Sequence, residues 1–170
     1  EQAGFMLDPE DWSDTTLGTV AIGHGIAVTP MQMLAAYNVI TNRGQYVSPR
    51  LVSDTVGPDG VRHAVEPVVP RSSVSPATAD AMNLILRSVV SAGTGTGAAV
   101  DGFTVAGKTG TSRKVQANGT YQDAAGNFHY QSTFVGFAPA EAPAVSVIVV
   151  IDDPQHGYYG GDVAAPAFAK

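Results

Sequence analysis

The 170-residue sequence contains no cysteine. Disulfide bonds, thiolate catalysis and cysteine-ligated zinc or iron–sulfur centres are therefore excluded. Charged residues are also scarce, at 14% against the roughly 25% that is usual for soluble domains. The 9 basic residues are outnumbered by 15 acidic ones, which leaves a net charge of −6. Such a chain lacks the basic face that nucleic-acid binding requires, so nucleic acid is not expected as a partner.

Long apolar runs are missing as well. The best apolar stretch, the Val- and Ile-rich run 145–151, is far shorter than the ~18 residues of a membrane-spanning helix. Apolar residues nevertheless make up 44% of the chain, which is enough for one domain with a real core. The chain opens without an initiator methionine and stops within an Ala-rich stretch. We therefore expect residues 1–170 to be part of a longer protein, truncated at both ends.

Two helices are predicted from their caps and their apolar periodicity. In the first, Thr29 is the N-cap, Pro30 is the first helical residue and Gly44 provides the left-handed stop. In the second, Ser75 is the N-cap and the glycine-rich run 93–97 ends the helix. The expected buried stripe of the second helix consists of Ala79, Met82, Ile85, Leu86, Val89 and Val90.

Strands are predicted over residues 46–53 and 61–69, separated by a hairpin-type turn, and later over residues 132–138 and 145–151. The last of these has the β-branched pattern of a central strand buried on both faces. The polar stretch 116–131 is consistent with a long hairpin. Helices followed by strands without strict alternation predict an α+β fold, in which helices flank an antiparallel sheet.

The segment from Ala106 to Ser112 is the strongest candidate for chemistry. Strand alternation puts Lys108 and Gly110 on one face, and Thr109 and Thr111 on the other. Glycine lets a second chain or a ligand come close to the backbone. A lysine beside hydroxyls suits a carboxylate or a phosphate, and free backbone N–H groups suit a developing oxyanion. Taken alone, the triplet is equally consistent with an ordinary edge strand that carries an exposed lysine.

Three further stretches accompany the Lys-Thr-Gly triplet: GHGIAVTPMQM at 23–33, STFVGFAPAE at 132–141 and YYGGDVAAP at 158–166. The triplet is a signature of penicillin-binding proteins and class A β-lactamases. With these stretches in the same order, nearly the whole chain resembles the C-terminal part of the transpeptidase domain of a class B penicillin-binding protein, of the division or sporulation type. The resemblance implies a partial domain of the β-lactamase/transpeptidase-like fold, and it implies no cofactor and no metal.

What the resemblance implies is acyl transfer. In that family a serine attacks the D-Ala–D-Ala bond of a peptidoglycan stem peptide, and an amine of a second peptide resolves the acyl-enzyme; β-lactams stall at the acyl stage. By resemblance, Lys108 stabilises carboxylate charge and supports proton transfer, and Thr109 and Thr111 bind the carboxylate. The Thr111 N–H supplies half of the oxyanion hole, so Lys108 and Thr111 are the expected catalytic residues. Gly110 and Ser112 complete the expected substrate-binding set.

The family's Ser-x-x-Lys and Ser-x-Asn motifs are missing from this sequence, since no serine has lysine three positions on or asparagine two positions on. We expect the missing N-terminal half of the domain to supply them, and this chain to be inactive alone. Stem peptides and β-lactams are the expected ligands, and cell-division proteins are further candidate partners. The parent protein is expected at the extracytoplasmic face of the cell membrane, anchored by an upstream transmembrane helix.

Other interpretations are kept open beside this one. The chain could be a relative of the serine β-lactamases or carboxypeptidases, or a non-catalytic module of the β-lactam fold that binds or scaffolds. Asp152, Asp153 and His156 are a weaker candidate for a metal site, against the simpler interpretation of a solvated loop after a strand. Tyr158 and Tyr159 either wall a substrate groove or pack over the last strand.

Overall fold

A computed structural model describes residues 2–66 and 68–170. The helices are α1 (Thr16–Val20), α2 (Pro30–Thr41), α3 (Pro76–Ala92), α4 (Gly160–Val163) and α5 (Ala165–Phe168). The strands are β1 (Phe5–Met6), β2 (Ile26–Ala27), β3 (Gln45–Tyr46), β4 (Asp54–Val56), β5 (Arg62–Ala64), β6 (Arg71–Ser72), β7 (Ala106–Arg113), β8 (Tyr130–Ala138) and β9 (Val145–Asp152). Within these described residues, no helix is both long and apolar enough to cross a membrane.

The frame of the fold is an antiparallel sheet in the order β7–β8–β9. β7 pairs with β8 along its whole length, and the register places Thr109 opposite Phe134 and Lys108 opposite Val135. Residues that face each other in an antiparallel pair lie on the same side of the sheet. Thr109 and Thr111 therefore share a face with Phe134, and Lys108 lies on the opposite face, which confirms the predicted alternation.

Two buried phenylalanines mark the two halves of the core. Phe137 is fully buried in a cluster with Leu86 of α3, and Tyr37 of α2 packs against that cluster. Phe134, also fully buried, lies on the other face, where its ring meets Phe168 of α5 edge-on at 4.9 Å between centroids. An antiparallel sheet with helices packed on both faces confirms the α+β prediction.

The two predicted helices begin and end as their caps indicate. Thr29 accepts a hydrogen bond from the Gln32 N–H at 3.1 Å, and the Gln32 side chain accepts one from the Thr29 N–H at 2.9 Å. This reciprocal capping box fixes the first turn of α2. Two left-handed residues follow the C-cap of α2: Arg43, with a φ of 51°, and the predicted Gly44, with a φ of 89° that glycine adopts without strain. Ser75 caps α3 by accepting from the Thr78 N–H at 3.1 Å.

The predicted buried stripe of α3 is only partly correct. Ala79, Leu86 and Val90 are buried, but Met82 is 38% exposed and Ile85 is 58% exposed. The helix packs against β7 and α2 along one narrow face, and the outer members of a wider apolar stripe then point to solvent.

The predicted strand over 46–53 is wrong for most of its length. β3 overlaps only its first residue and β4 begins just after its last one, and Pro49 between them cannot donate a ladder hydrogen bond. The predicted strand over 61–69 shortens to β5, which pairs with β4 as the expected hairpin. Residue 67 of that prediction lies outside the described residues.

The predictions for the end of the chain also need correction. β9 is an outer strand of the described sheet rather than a central one, and Val145 on it is 58% exposed. The stretch 116–131 forms turns with one isolated bridge, between Gln122 and Phe128, rather than a regular hairpin. Two short helices, α4 and α5, follow β9.

Candidate active site

The outer edge of β7 carries backbone groups that do not pair with β8. The Lys114 N–H, one residue beyond the strand, donates to the His129 carbonyl at 2.8 Å. Because the pairs of an antiparallel ladder alternate, the backbone groups of Lys108 and Gly110 point toward β8. Those of Thr109 and Thr111 point to the outer edge. The Thr111 N–H therefore lies at the open side of the sheet, where an incoming oxygen can accept from it.

The Lys108 ammonium is exposed and lies over this same edge. It donates to the Thr109 carbonyl at 3.0 Å and approaches Thr109 Oγ1 at 3.3 Å. The first of these bonds agrees with the outward direction of the Thr109 backbone. Among the described residues, Lys108 makes no ion pair, so its charge is available to an anion that reaches the edge of β7.

The two threonine hydroxyls are held from the opposite face of the strand. Thr109 Oγ1 lies 2.9 Å from the hydroxyl of Thr94, in the turn after α3. Thr111 Oγ1 accepts from the N–H of Gly160, the first residue of α4, at 3.0 Å. A methyl group on Gly160 would clash with the backbone oxygens of Gly110 and Thr133. Glycine is required there because α4 begins flush against the strands.

Ser112 is exposed beyond the two threonines and shares a face with Lys108 and Gly110. The structure thus places the five predicted site residues along one strand, and it separates them into two faces. Lys108, Gly110 and Ser112 lie on one face, whereas Thr109 and Thr111 lie on the other. One group from each face reaches the outer edge of β7: the Lys108 ammonium and the outward N–H of Thr111.

An aromatic stack lies at the end of the sheet where Tyr130 of β8 pairs with Arg113, the last residue of β7. Tyr158 stacks on Tyr130 of β8 with ring centroids 4.2 Å apart, and its hydroxyl donates to that of Tyr159 at 3.2 Å. This hydrogen bond raises the pKa of Tyr158. The Tyr158 carbonyl also accepts from the buried Ser132 hydroxyl. Tyr158 therefore packs over β8 rather than over the last strand, β9, whereas Tyr159 remains 56% exposed.

A second polar cluster was missed by the sequence analysis, which identified no partner for His129. His129 Nδ1 lies 2.8 Å from Asp153, just after β9, and its Nε2 lies 3.1 Å from Asp123 in the β7–β8 loop. The hydrogen bond that His129 donates to Asp123 is the main cause that raises the pKa of His129. The Asn127 N–H and then His129 lower the pKa of Asp123. No local pattern announces this cluster, because its members belong to different parts of the chain.

The residues proposed for a metal site are used elsewhere. Asp152 pairs with Lys114 at 2.7 Å, and Asp153 pairs with His129. In the part of the chain that the structure describes, no three histidine or carboxylate side chains gather as metal ligands would. The predicted grouping of Asp152 and Asp153 with His156 is therefore not formed.

A helix-flanked antiparallel sheet whose outer strand presents Lys-Thr-Gly defines a class: the penicillin-recognising acyltransferases and their relatives. The family model described as "Penicillin binding protein transpeptidase domain" matches residues 1–170. The chain belongs to the penicillin-binding protein transpeptidase family, as its resemblance to the class B members indicated.

Individual relatives agree with this assignment. The chain is 39% identical over its whole length to the probable peptidoglycan D,D-transpeptidase PenA of Neisseria meningitidis, of which it spans 27%. It is 36% identical to the stage V sporulation protein D of Bacillus subtilis, with 98% of this chain and 25% of that protein covered. The crystal structure of penicillin-binding protein 3 from Mycobacterium tuberculosis, complexed with aztreonam, superposes with a TM-score of 0.89 at 35% identity, over 99% of this chain and 39% of that one.

Proposed function

We propose that residues 1–170 form the C-terminal portion of the transpeptidase domain of a serine D,D-transpeptidase. Its substrates are peptidoglycan stem peptides, and β-lactams acylate it. The observation that supports this most directly is the outer edge of β7, where the exposed Lys108 ammonium lies beside the outward N–H of Thr111. A cation next to a free amide donor suits a substrate that carries a carboxylate and develops an oxyanion.

The proposed chemistry proceeds in two steps. A serine Oγ bonds to the D-Ala carbonyl carbon, the C–N bond breaks, and D-Ala leaves with the proton on its amine. The amine of a second stem peptide then attacks the ester, and the serine regains its proton. The Thr111 N–H donates to the oxyanion of each tetrahedral intermediate, while Lys108 stabilises negative charge and supports proton transfer.

The remaining site residues bind rather than react in this proposal. The hydroxyls of Thr109 and Thr111 donate to the substrate or β-lactam carboxylate. Gly110 keeps the strand smooth beside the acyl chain, and Ser112 completes the substrate-binding set. The nucleophile, its base and the Ser-x-Asn motif come from polypeptide outside residues 1–170, so this chain alone is inactive.

The wider setting follows from the named relatives. Because they include a probable peptidoglycan D,D-transpeptidase and a stage V sporulation protein, we place the parent protein in peptidoglycan synthesis, during sporulation or, as the family resemblance implies, during division. Cell-division proteins are its proposed partners. Its substrate lies in the cell wall, so its site faces the extracytoplasmic side of the membrane, held by an upstream anchor.

Labelling with a fluorescent penicillin tests this proposal. The full-length protein should form a covalent adduct that survives denaturing gel electrophoresis, and residues 1–170 alone should form none. An adduct that hydrolyses within seconds would favour a β-lactamase relative. A full-length protein that never labels would support the non-catalytic binding or scaffold module instead.

A further inference from the structure

Thr94 lies outside the Lys-Thr-Gly strand but contacts it. It follows Gly93, the C-cap of α3, and lies in the glycine-rich run that ends this helix. Its Oγ1 lies 2.9 Å from Thr109 Oγ1. A threonine from a separate element thus reaches one of the hydroxyls to which carboxylate binding is assigned above.

The hydrogen-bond capacity of Thr109 gives this contact a direction. A hydroxyl has one hydrogen and two acceptor positions. The Lys108 ammonium, 3.3 Å away, can only donate to Thr109 Oγ1 and so occupies one acceptor position. If Thr94 donates to the second acceptor position, the hydroxyl hydrogen of Thr109 is the only hydrogen-bonding position of that group still without a partner. Thr109 can then only donate, which is what a carboxylate requires.

The hydroxyl of Thr111 also accepts a hydrogen bond. Thr111 Oγ1 accepts from the Gly160 N–H at 3.0 Å, a bond whose direction is unambiguous because an amide nitrogen does not accept. Its hydrogen is therefore also free to donate. Two hydroxyls on one face of β7 are thus each hydrogen-bonded to an element other than β7, Thr111 to α4 and Thr109 to Thr94.

Thr94 is held firmly enough to act in this way. The N–H groups of Gly93 and Gly95, on either side of it, both donate to the Val89 carbonyl, at 3.1 and 2.9 Å. On its other side, a methyl group on Gly161 would clash with the Thr94 carbonyl. The turn is therefore fixed between the last turn of α3 and the start of α4.

We propose that Thr94 is a positioning residue, which donates to Thr109 Oγ1 and so orients the Thr109 hydrogen toward the carboxylate of the ligand. This inference rests on the proposed function of the β7 edge. Thr94 itself touches no reacting atom, so its loss weakens ligand binding and leaves the acylation step itself unchanged.

The experiment measures acylation of the full-length protein by a fluorescent penicillin over a range of concentrations. Thr94→Val should raise the half-saturating penicillin concentration about fivefold, the effect of one lost hydrogen bond, with the limiting rate unchanged. Thr94→Ser should restore the wild-type value. The matched control is Thr96→Val in the same turn, since the Thr96 hydroxyl makes no hydrogen bond among the described residues; it should behave as wild type.

A double-mutant cycle separates positioning from a general structural effect. In a Thr109→Val background, adding Thr94→Val should change the half-saturating concentration less than twofold. Additive losses, or a Thr94→Val variant equal to wild type while wild type labels normally, would overturn the role of Thr94 and leave the proposed function standing. A wild-type protein that is not acylated at all would overturn both. Should Thr94→Val unfold, the cycle with Thr94→Ala and the Thr94→Ser rescue decides in its place.

Discussion

The two outer strands of the sheet, β7 and β9, have edges of opposite chemical character. β7 carries a lysine, hydroxyls and glycines, and its side chains are held by hydrogen bonds from α4 and from the turn after α3. β9 is rich in valine and isoleucine, and Val145, Val147 and Val150 on it are 58%, 37% and 36% exposed. Both strands belong to one antiparallel ladder, so backbone geometry alone does not distinguish them.

This difference in side-chain chemistry bears on which of the two edges another strand would pair with. An exposed lysine discourages a further strand from pairing, and proteins use such charged side chains to protect sheet edges. In the described residues no strand pairs with the outer edge of β7, as the proposed substrate site requires. A flat, aliphatic edge such as that of β9 is a template for pairing with another strand. The two edges then call for opposite experiments: removal of charge at β7 and addition of charge at β9.

The largest expected effect is at the β7 edge. Lys108→Ala in the full-length protein should lower the rate of acylation by penicillin on the order of 10²-fold, because the site loses its cation. Folding should change by no more than about 0.5 kcal/mol, since the side chain is exposed. Stopped-flow labelling and a denaturant titration measure the two quantities.

The control for this variant is Lys114→Ala. Lys114 lies just beyond the same strand but pairs with Asp152, so its removal should leave acylation within about twofold of wild type. Unchanged acylation in Lys108→Ala, or equal losses in both variants, would contradict the assigned role of Lys108.

The second prediction concerns the way in which α4 supports the β7 edge. Gly160→Ala should destabilise the protein by about 1–3 kcal/mol, because the new methyl group meets the backbone of both β7 and β8. Gly18→Ala on α1 is the matched control: nothing lies near that position, and alanine favours helix. Urea denaturation of both variants measures the difference. A Gly160→Ala protein as stable as the control would show that α4 does not press on the strands.

Much of the β7 edge could be predicted from sequence because its signals are local. Strand alternation places Lys108 and Thr109 on opposite faces, and the caps Thr29 and Ser75 fix where α2 and α3 begin. The supporting contacts could not be predicted in this way. Thr94 and Thr109 are 15 residues apart, and Gly160 and Thr111 are 49 apart, so no periodic pattern connects them.

The errors at β9 have a related physical cause. A run of β-branched residues is typical of a buried strand, but periodicity alone does not identify the helix or strand that packs against it. In the described residues β9 pairs only with β8, so its outer side is exposed. The exposed Met82 and Ile85 of α3 reflect the same limit: their apolar character is local, whereas their burial depends on what packs against them.

The third prediction therefore adds charge at β9. The isolated chain should bind hydrophobic dyes or aggregate, because the β9 edge and other apolar side chains are exposed. Val145→Lys should reduce that self-association while it changes stability by no more than about 0.5 kcal/mol. Light scattering against protein concentration measures the effect. Val56→Lys, on the separate β4–β5 hairpin and 63% exposed, is the control and should reduce it less. A monodisperse wild-type chain that melts cooperatively would contradict this interpretation of the β9 edge.

The smallest expected effect concerns the pH dependence of loop order. It arises from the cluster of Asp123, His129 and Asp153, which connects the β7–β8 loop to the residue after β9. His129 links the loop that leaves β7 to the residue that follows β9, at 3.1 and 2.8 Å. Its raised pKa means that the protonated ring is favoured in the folded state. Its stabilising contribution is therefore complete below about pH 6.5, the ordinary histidine value, and is lost as the pH rises through the higher folded value.

The pKa of Asp123 is shifted in the opposite direction, so its contribution to stability depends on pH in the opposite way. Its lowered pKa means that the folded state favours the carboxylate, so its contribution is present above about pH 4 and is lost as the pH falls further. The β7–β8 loop should thus be held best between about pH 4 and 6.5 and should loosen on the alkaline side. Amide hydrogen exchange of residues 116–128, corrected for the intrinsic pH dependence, measures this loosening. His129→Gln should remove the loosening on the alkaline side, because the charged ring between two carboxylates causes it, whereas His63→Gln on the exposed β5 should leave the profile unchanged. A flat wild-type profile across this range would mean that the cluster does not hold the loop.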